Sequence, residues 1–178
     1  GQQTDHMTRD DGWRLLSIGR HLERLGFLAS ALESGLQTGA VHDEGGFEAM
    51  VALFDSTITF HAQYQQRRDM PALLDLLVID RDNPRSLAWV AQTLRGRLAR
   101  LAGSAPGQLS TLSLLIPNPD IWSLEQLCSE ETHPAPSETQ PPLAELLALC
   151  TSAAYNISDE ISAQYFTHSG EARQSLGA

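Results

Sequence analysis

Between Leu15 and Leu32 the apolar side chains recur at three- and four-residue steps: Leu15, Ile18, Leu22, Leu25, Ala29 and Leu32. That spacing puts six side chains on one face of a helix turning once per ~3.6 residues. A long amphipathic helix is therefore the element against which the rest of the chain has to pack. Glu23 borders the stripe inside Ile18-Gly19-Arg20-His21-Leu22-Glu23-Arg24, and Gly19 and Gly26 stand one turn away on either side. Glycine inside a helix costs ~1 kcal/mol relative to alanine, so the pair predicts a second helix approaching closely over Glu23. Arg20 can reach Glu23 along the helix face; Arg24, its immediate neighbour, cannot. The expectation is a partly buried Glu23 paired with Arg20 or with Arg85. The plainer alternative is a surface ion pair worth ~0–1 kcal/mol.

The remaining pattern is helical throughout. Thr8, with Asp10 and Asp11 after it, reads as the start of the first helix, and Ser34-Gly35 as its end. After the connector His42–Gly46, one helix is expected to carry Phe47, Met50, Val51, Phe54, Ile58, His61 and Tyr64 or Gln65 on a shared face, with His61 a core histidine. Asp69-Met70-Pro71 opens a short helix, proline standing where its missing donor does no harm. Its run Leu73, Leu74, Leu76, Leu77, Val78, Ile79 is apolar nearly all round and should be central. Asn83 is expected to cap the next helix with Pro84 as its first residue. There Leu87, Val90 or Ala91, Leu94, Leu98 and Leu101 face inward while Arg95, Arg97 and Arg100 project away. Leu109–Ile116 reads as a further helix, and Asn118-Pro119 starts another running to about Ser129. Four prolines within Glu130–Pro142 predict a mobile segment, so the Glu130-x-x-His133 spacing there is not read as a metal motif. The last helix spans Leu143–Phe166, its stripe running through Leu143, Leu146, Leu147, Cys150, Ala154, Ile157, Ile161 and Tyr165. The chain thus reads as one all-α, bundle-like domain of six or seven helices over residues 8–168. Residues 1–7 read as a linker or cloning remnant, and 169–178 as a frayed tail.

Charge excludes several chemistries. All twelve basic residues are arginine. With no lysine there is no Schiff-base lysine and no phosphate-gripping lysine of a Walker loop. Residues 1–100 carry eleven arginines against thirteen acids, a net of −2; residues 101–178 carry one against nine, a net of −8. Nucleic acid and anionic membrane surfaces are therefore disfavoured as partners, because both require a basic face. No apolar run approaches the ~20 residues that span a bilayer. The polar start Gly1–His6 lacks a signal-peptide pattern. Cys128 and Cys150 fit neither a redox nor a zinc spacing, Cys150 reading as a buried free thiol, and the expected compartment is the cytoplasm.

Two separated stretches resemble one family. Trp13-Arg14-Leu15-Leu16-Ser17-Ile18-Gly19-Arg20-His21-Leu22-Glu23-Arg24 is similar to the signature of the alpha-E domain, a bacterial helical domain with a Glu-Arg motif. Met70–Asp80 followed by Asn83-Pro84-Arg85-Ser86-Leu87 resembles the family's apolar helix and its Pro-Arg-Ser turn, and Tyr165-Phe166 its closing pair. Full alpha-E proteins run to about twice this length with two such units, and this chain resembles the C-terminal one. The resemblance implies association, fused or separate, with circularly permuted ATP-grasp proteins that make or modify peptide-like amide bonds. ATP and magnesium would belong to that partner; the domain itself is expected to take no cofactor and no metal. Carried over, Arg20, Glu23 and Arg24 match the motif, and Asn83, Pro84, Arg85 and Ser86 match the turn, with Trp89 one turn beyond Arg85 as a candidate anchor. The leading expectation is a non-catalytic accessory module that docks on the ligase, and self-association also stays open. A second is a binding site in which Arg20, Arg24, Arg81 and Arg85 hold carboxylates or phosphates bidentately. A third is an enzyme using Glu23 as acid or base, its pKa raised by burial.

Overall fold

The computed structural model describes residues 9–105, 108–128 and 142–166. Its seven α-helical segments are α1 (Arg9–Thr38), α2 (Glu44–Leu53), α3 (Thr57–Tyr64), α4 (Met70–Leu74), α5 (Leu87–Leu101), α6 (Leu124–Leu127) and α7 (Leu143–Ile161). No strand occurs among the described residues. The expected N-terminal cap Thr8, the pair Glu130 and His133, and the tail after His168 lie outside them, as does nearly all of the Glu130–Pro142 segment.

α1 is the axis of the domain. All six residues of its apolar stripe are buried, and it packs chiefly against α7 and α5. Its partner α7 buries Leu146, Leu147, Cys150, Ala153, Ala154, Ile157 and Ile161 on one face, then unwinds into a π-helical turn over Ser162–Phe166. The two helices approach closely at Gly26, where an added Cβ would lie 3.3 Å from the Ala154 Cβ. Gly26 therefore does mark a close helix approach, made by α7. Gly19 does not, because an added Cβ there would have nothing within 4 Å. α1 also runs past the expected stop at Ser34-Gly35. Gly35 is a packing residue, since a Cβ would meet the ends of Met50 and Val41. The helix stops at Gly39, whose φ of 76° puts it in the left-handed region that glycine enters without strain.

α4 continues into a π-helical turn, Asp75–Ile79, and this short apolar segment lies at the centre as expected, with Leu73, Leu74, Leu76, Leu77 and Val78 all buried. Asp69 caps it by accepting a bond from the Ala72 amide at 2.9 Å.

Several expected elements differ. The single helix over 47–65 is two, because Asp55 takes a left-handed conformation (φ 49°) and Ser56 turns inward, its hydroxyl donating to the Phe54 carbonyl at 2.9 Å. α3 is thereby rotated, so Ile58 and His61 are exposed and His61 is not a core histidine. Asn83 is not a helix cap. It is buried in the turn before α5, its amide donating to Leu76 O (3.1 Å) and Ser56 Oγ (3.2 Å) while its carbonyl accepts the Arg85 amide (3.2 Å). The cap is Ser86, which accepts from the Trp89 amide at 3.1 Å, so α5 starts at Leu87 and Pro84 precedes it. Residues 109–116 hold only a 3₁₀ turn at Ser113–Leu115. The stretch after Asn118-Pro119 is another such turn followed by α6, which Ser123 caps. Arg95 does not project outward: it donates to Ile116 O at 2.7 Å and so fastens that irregular segment to α5. Among the described residues no helix is long and apolar enough to cross a membrane.

Candidate functional site

The Glu-Arg motif lies on the outer side of α1, where the buried stripe leaves it no other place. Glu23 is exposed, with no ion pair or hydrogen bond among the described residues. The expected partly buried pair is absent on both counts. Arg20 is likewise exposed and makes no ion pair to it, and Arg85 Nε is held 2.9 Å from Asp55 Oδ2. The physical reason is the open space above Gly19, where no helix among the described residues covers the motif. The burial that would have fitted Glu23 for acid–base work is therefore missing as well.

What the structure assembles instead is a seam between α1 and α5. His21 stacks on Trp89, with ring centroids 6.0 Å apart and planes 30° apart, and the Arg97 guanidinium sits 5.9 Å from the centre of the Trp13 ring. His21 meets the first turn of α5 and Trp13 meets its third, so the two helices run antiparallel. The His21 Nδ1–H donates to the Ser17 carbonyl at 2.8 Å, which fixes the ring and leaves Nε2 free to accept. Burial lowers the His21 pKa below its usual 6.5. The Ser17 carbonyl opposes that shift, and the positive charges of Arg97 and Arg24 add to it. Arg20, His21, Glu23, Arg24 and Phe27 line an open groove of about 460 Å³ beside this seam. Within it, Nη2 of Arg24 is shielded from solvent and has no hydrogen-bond partner, a condition that costs ~1–3 kcal/mol or more for a charged group.

The nine residues singled out from the sequence therefore separate. Arg20, Glu23, Arg24 and Trp89 come together on the seam and its groove. Arg81 and Arg85 do not join them, each being taken by a carboxylate of the chain, Arg81 by Asp120 at 2.5 Å and Arg85 by Asp55. Four arginines converging on one ligand is thus not the arrangement found. Asn83, Pro84 and Ser86 shape the turn that delivers α5. The sequence reading passed over His21, Trp13 and Arg97 as site residues. The signal available was the four-residue recurrence Trp89-Thr93-Arg97 on α5 set against Trp13-Ser17-His21 on α1. Among the described residues no group of three or more His, Cys, Asp or Glu is placed to hold a metal ion.

A segment of 107 residues, 59% of the chain, is 28% identical to uncharacterized proteins of Mycobacterium bovis and of two strains of Mycobacterium tuberculosis. That segment amounts to 12% of each mycobacterial protein, so the chain spans a small part of the curated relatives it matches. No solved structure matches the chain. Residues 1–166 match the family described as a predicted alpha-helical domain with a conserved ER motif, and the chain belongs to that family, Alpha-E.

Proposed function

We propose that this chain is a non-catalytic interaction module that docks, through the α1–α5 seam, on an acidic segment of an ATP-grasp amide ligase, fused or separate. The observation that carries this reading is the seam's composition. Two of the three tryptophans, an arginine and a histidine line one crossing, with Arg20 and Arg24 in the groove beside it, on a chain whose net charge is −10. Tryptophan and arginine are the residues that most often dominate binding energy at interfaces, and a local positive patch on an acidic chain steers an acidic partner toward one orientation. The ligase class comes from the resemblance and is the part to be tested. ATP and magnesium are the ligase's, and the module works in the cytoplasm where that ligase finds ATP. The chain is expected to capture the circularly permuted ATP-grasp protein of its own genome. Trp89→Ala and Arg97→Ala each remove an anchor and should weaken capture at least tenfold while the helical circular dichroism is kept. Arg81→Ala should leave capture unchanged. Undiminished capture by the Trp89 and Arg97 variants contradicts the docking face, and no capture by the wild-type chain contradicts the partner.

A second reading draws on the unpaired Arg24 nitrogen: a small carboxylate lying in the groove would give that guanidinium the acceptor it lacks. Calorimetry with glutamate and with Mg-ATP separates the two readings. Saturable heat lost in Arg24→Ala favours the small ligand, and silence with both favours docking.

A further inference from the structure

Along the edge of the seam and its groove, α1 carries an exposed stripe that the core does not use. Trp13, Leu16, Arg20, Glu23 and Phe27 are all exposed, and they follow one another at steps of three, four, three and four residues. At 3.6 residues per turn they fall within an arc of ~80°, a stripe of coiled-coil spacing running along the outside of the helix. Its apolar members are well exposed: Trp13 is 65%, Leu16 55% and Phe27 56% accessible. Its two charged members, Arg20 and Glu23, carry opposite signs and pair with nothing among the described residues. His21 and Arg24 lie to one side of the stripe, toward α5, and the stripe borders the seam: Trp13 belongs to both, and Arg20, Glu23 and Phe27 also line the groove.

We propose that this stripe is the contact between two copies of the chain, packed antiparallel through their α1 helices. The argument is the stripe's self-complementarity. With the two-fold axis midway between positions 21 and 22, Arg20 faces the partner's Glu23, Leu16 faces the partner's Phe27, and Trp13 faces the partner's Ser30. Two-fold symmetry makes each of these pairings twice. One register therefore joins both charges to opposite charges and both flanking apolar residues to apolar residues. A parallel pairing would set Arg20 against Arg20 and Glu23 against Glu23. The stripe from Trp13 to Ser30 is ~25 Å long and one helix wide. That is less than the ~800 Å² per partner buried by a stable standard interface, so the dimer should be weak and concentration-dependent. The Glu-Arg motif then has two outward duties at the groove, Glu23 pairing with a second copy and Arg24 offering its free nitrogen to an acceptor.

Sedimentation velocity of the 178-residue chain over a range of concentrations is the test. The wild type should pass from monomer to dimer as concentration rises. Arg20→Glu and Glu23→Arg should each weaken association at least tenfold, because each sets like charges against one another. The double variant R20E/E23R should restore it to within about threefold of wild type. Both residues are exposed, so circular dichroism should show all three variants folded. A Leu16→Ala, Phe27→Ala variant should also be monomeric, independently of charge. A wild type monomeric at every concentration overturns the proposal. So does a dimer indifferent to the single charge reversals, or a double variant as weak as the singles.

Discussion

Gly46 gives the sharpest test of how the first corner of the fold is built. It lies in the opening turn of α2, and a Cβ added there would stand 1.8 Å from the carbonyl oxygen of Ala40 and 2.6 Å from its carbonyl carbon. Both atoms are backbone, in the 3₁₀ turn Ala40–His42 that bonds back to α2 through Asp43. They cannot swing aside as a side-chain end could. Relief requires the turn to move by more than 1 Å relative to α2, against the packing of buried Val41. Overpacking of this kind costs ~1–3 kcal/mol and occasionally more, while alanine returns at most ~1 kcal/mol of helix propensity. Gly46→Ala is therefore expected to destabilise by ~1–2 kcal/mol or more. Gly19→Ala is the matched control, since its Cβ would meet nothing within 4 Å. It should stabilise by ~0.5–1 kcal/mol, the propensity gain alone. Urea unfolding followed by circular dichroism, with the slope held common, reads both. The two variants should lie on opposite sides of wild type. A Gly46→Ala protein as stable as wild type would show that the turn and α2 are not packed in this way.

Other expectations follow from single groups. Asn83→Ala should cost ~1–3 kcal/mol in urea unfolding, because it removes the donor to the buried Leu76 carbonyl and the acceptor of the Arg85 amide; a loss under ~0.5 kcal/mol would contradict the buried bridge. His21 should titrate below 6.5 by NMR. With its folded pKa below the unfolded value, the unfolded chain binds the extra proton first. Its contribution to stability is then full above about pH 6.5 and declines as pH falls toward the folded pKa. A His21→Gln variant should lack that slope, and a His21 pKa above 6.5 would refute the seam's electrostatics. Burial pushes the Cys150 thiol up to about 12, so iodoacetamide should label the half-buried Cys128 first and Cys150 only on unfolding. Mass spectrometry of the native chain showing Cys150 labelled first would contradict the burial.

How much of this could be read from the sequence depended on whether the information was local. The α1 stripe, the apolar α4 segment and the inward face of α7 were legible because each repeats one period over enough residues to exclude other faces. The corner at Asp55-Ser56 was not: Phe54 and Ile58 keep a helical interval across it, and only the left-handed Asp55 backbone breaks the register. Asn83-Pro84 and Ser86 compete for the same capping role, and the choice was decided from a distance, by Ser56 and Leu76 offering Asn83 buried partners. Arg95 looked like a solvent-facing charge until the irregular 113–116 segment folded over it. In the site, the motif drew attention to Arg20, Glu23 and Arg24, but its glycines misled. Gly26 admits α7, whereas Gly19 faces open space, and with it Glu23. The seam required the antiparallel crossing of α1 and α5, which places His21 on Trp89 and Arg97 over Trp13. Neither periodicity nor spacing along one helix contains that crossing.

The central claim is that the Glu-Arg motif faces outward for recognition and does not hold the fold together. Urea unfolding of Glu23→Gln, at protein concentrations well below those of self-association, tests it most directly. An exposed, unpaired carboxylate predicts a stability within ~0.5 kcal/mol of wild type. A loss of ~3–5 kcal/mol, the cost of breaking a buried ion pair, would contradict the claim and return the motif to the interior.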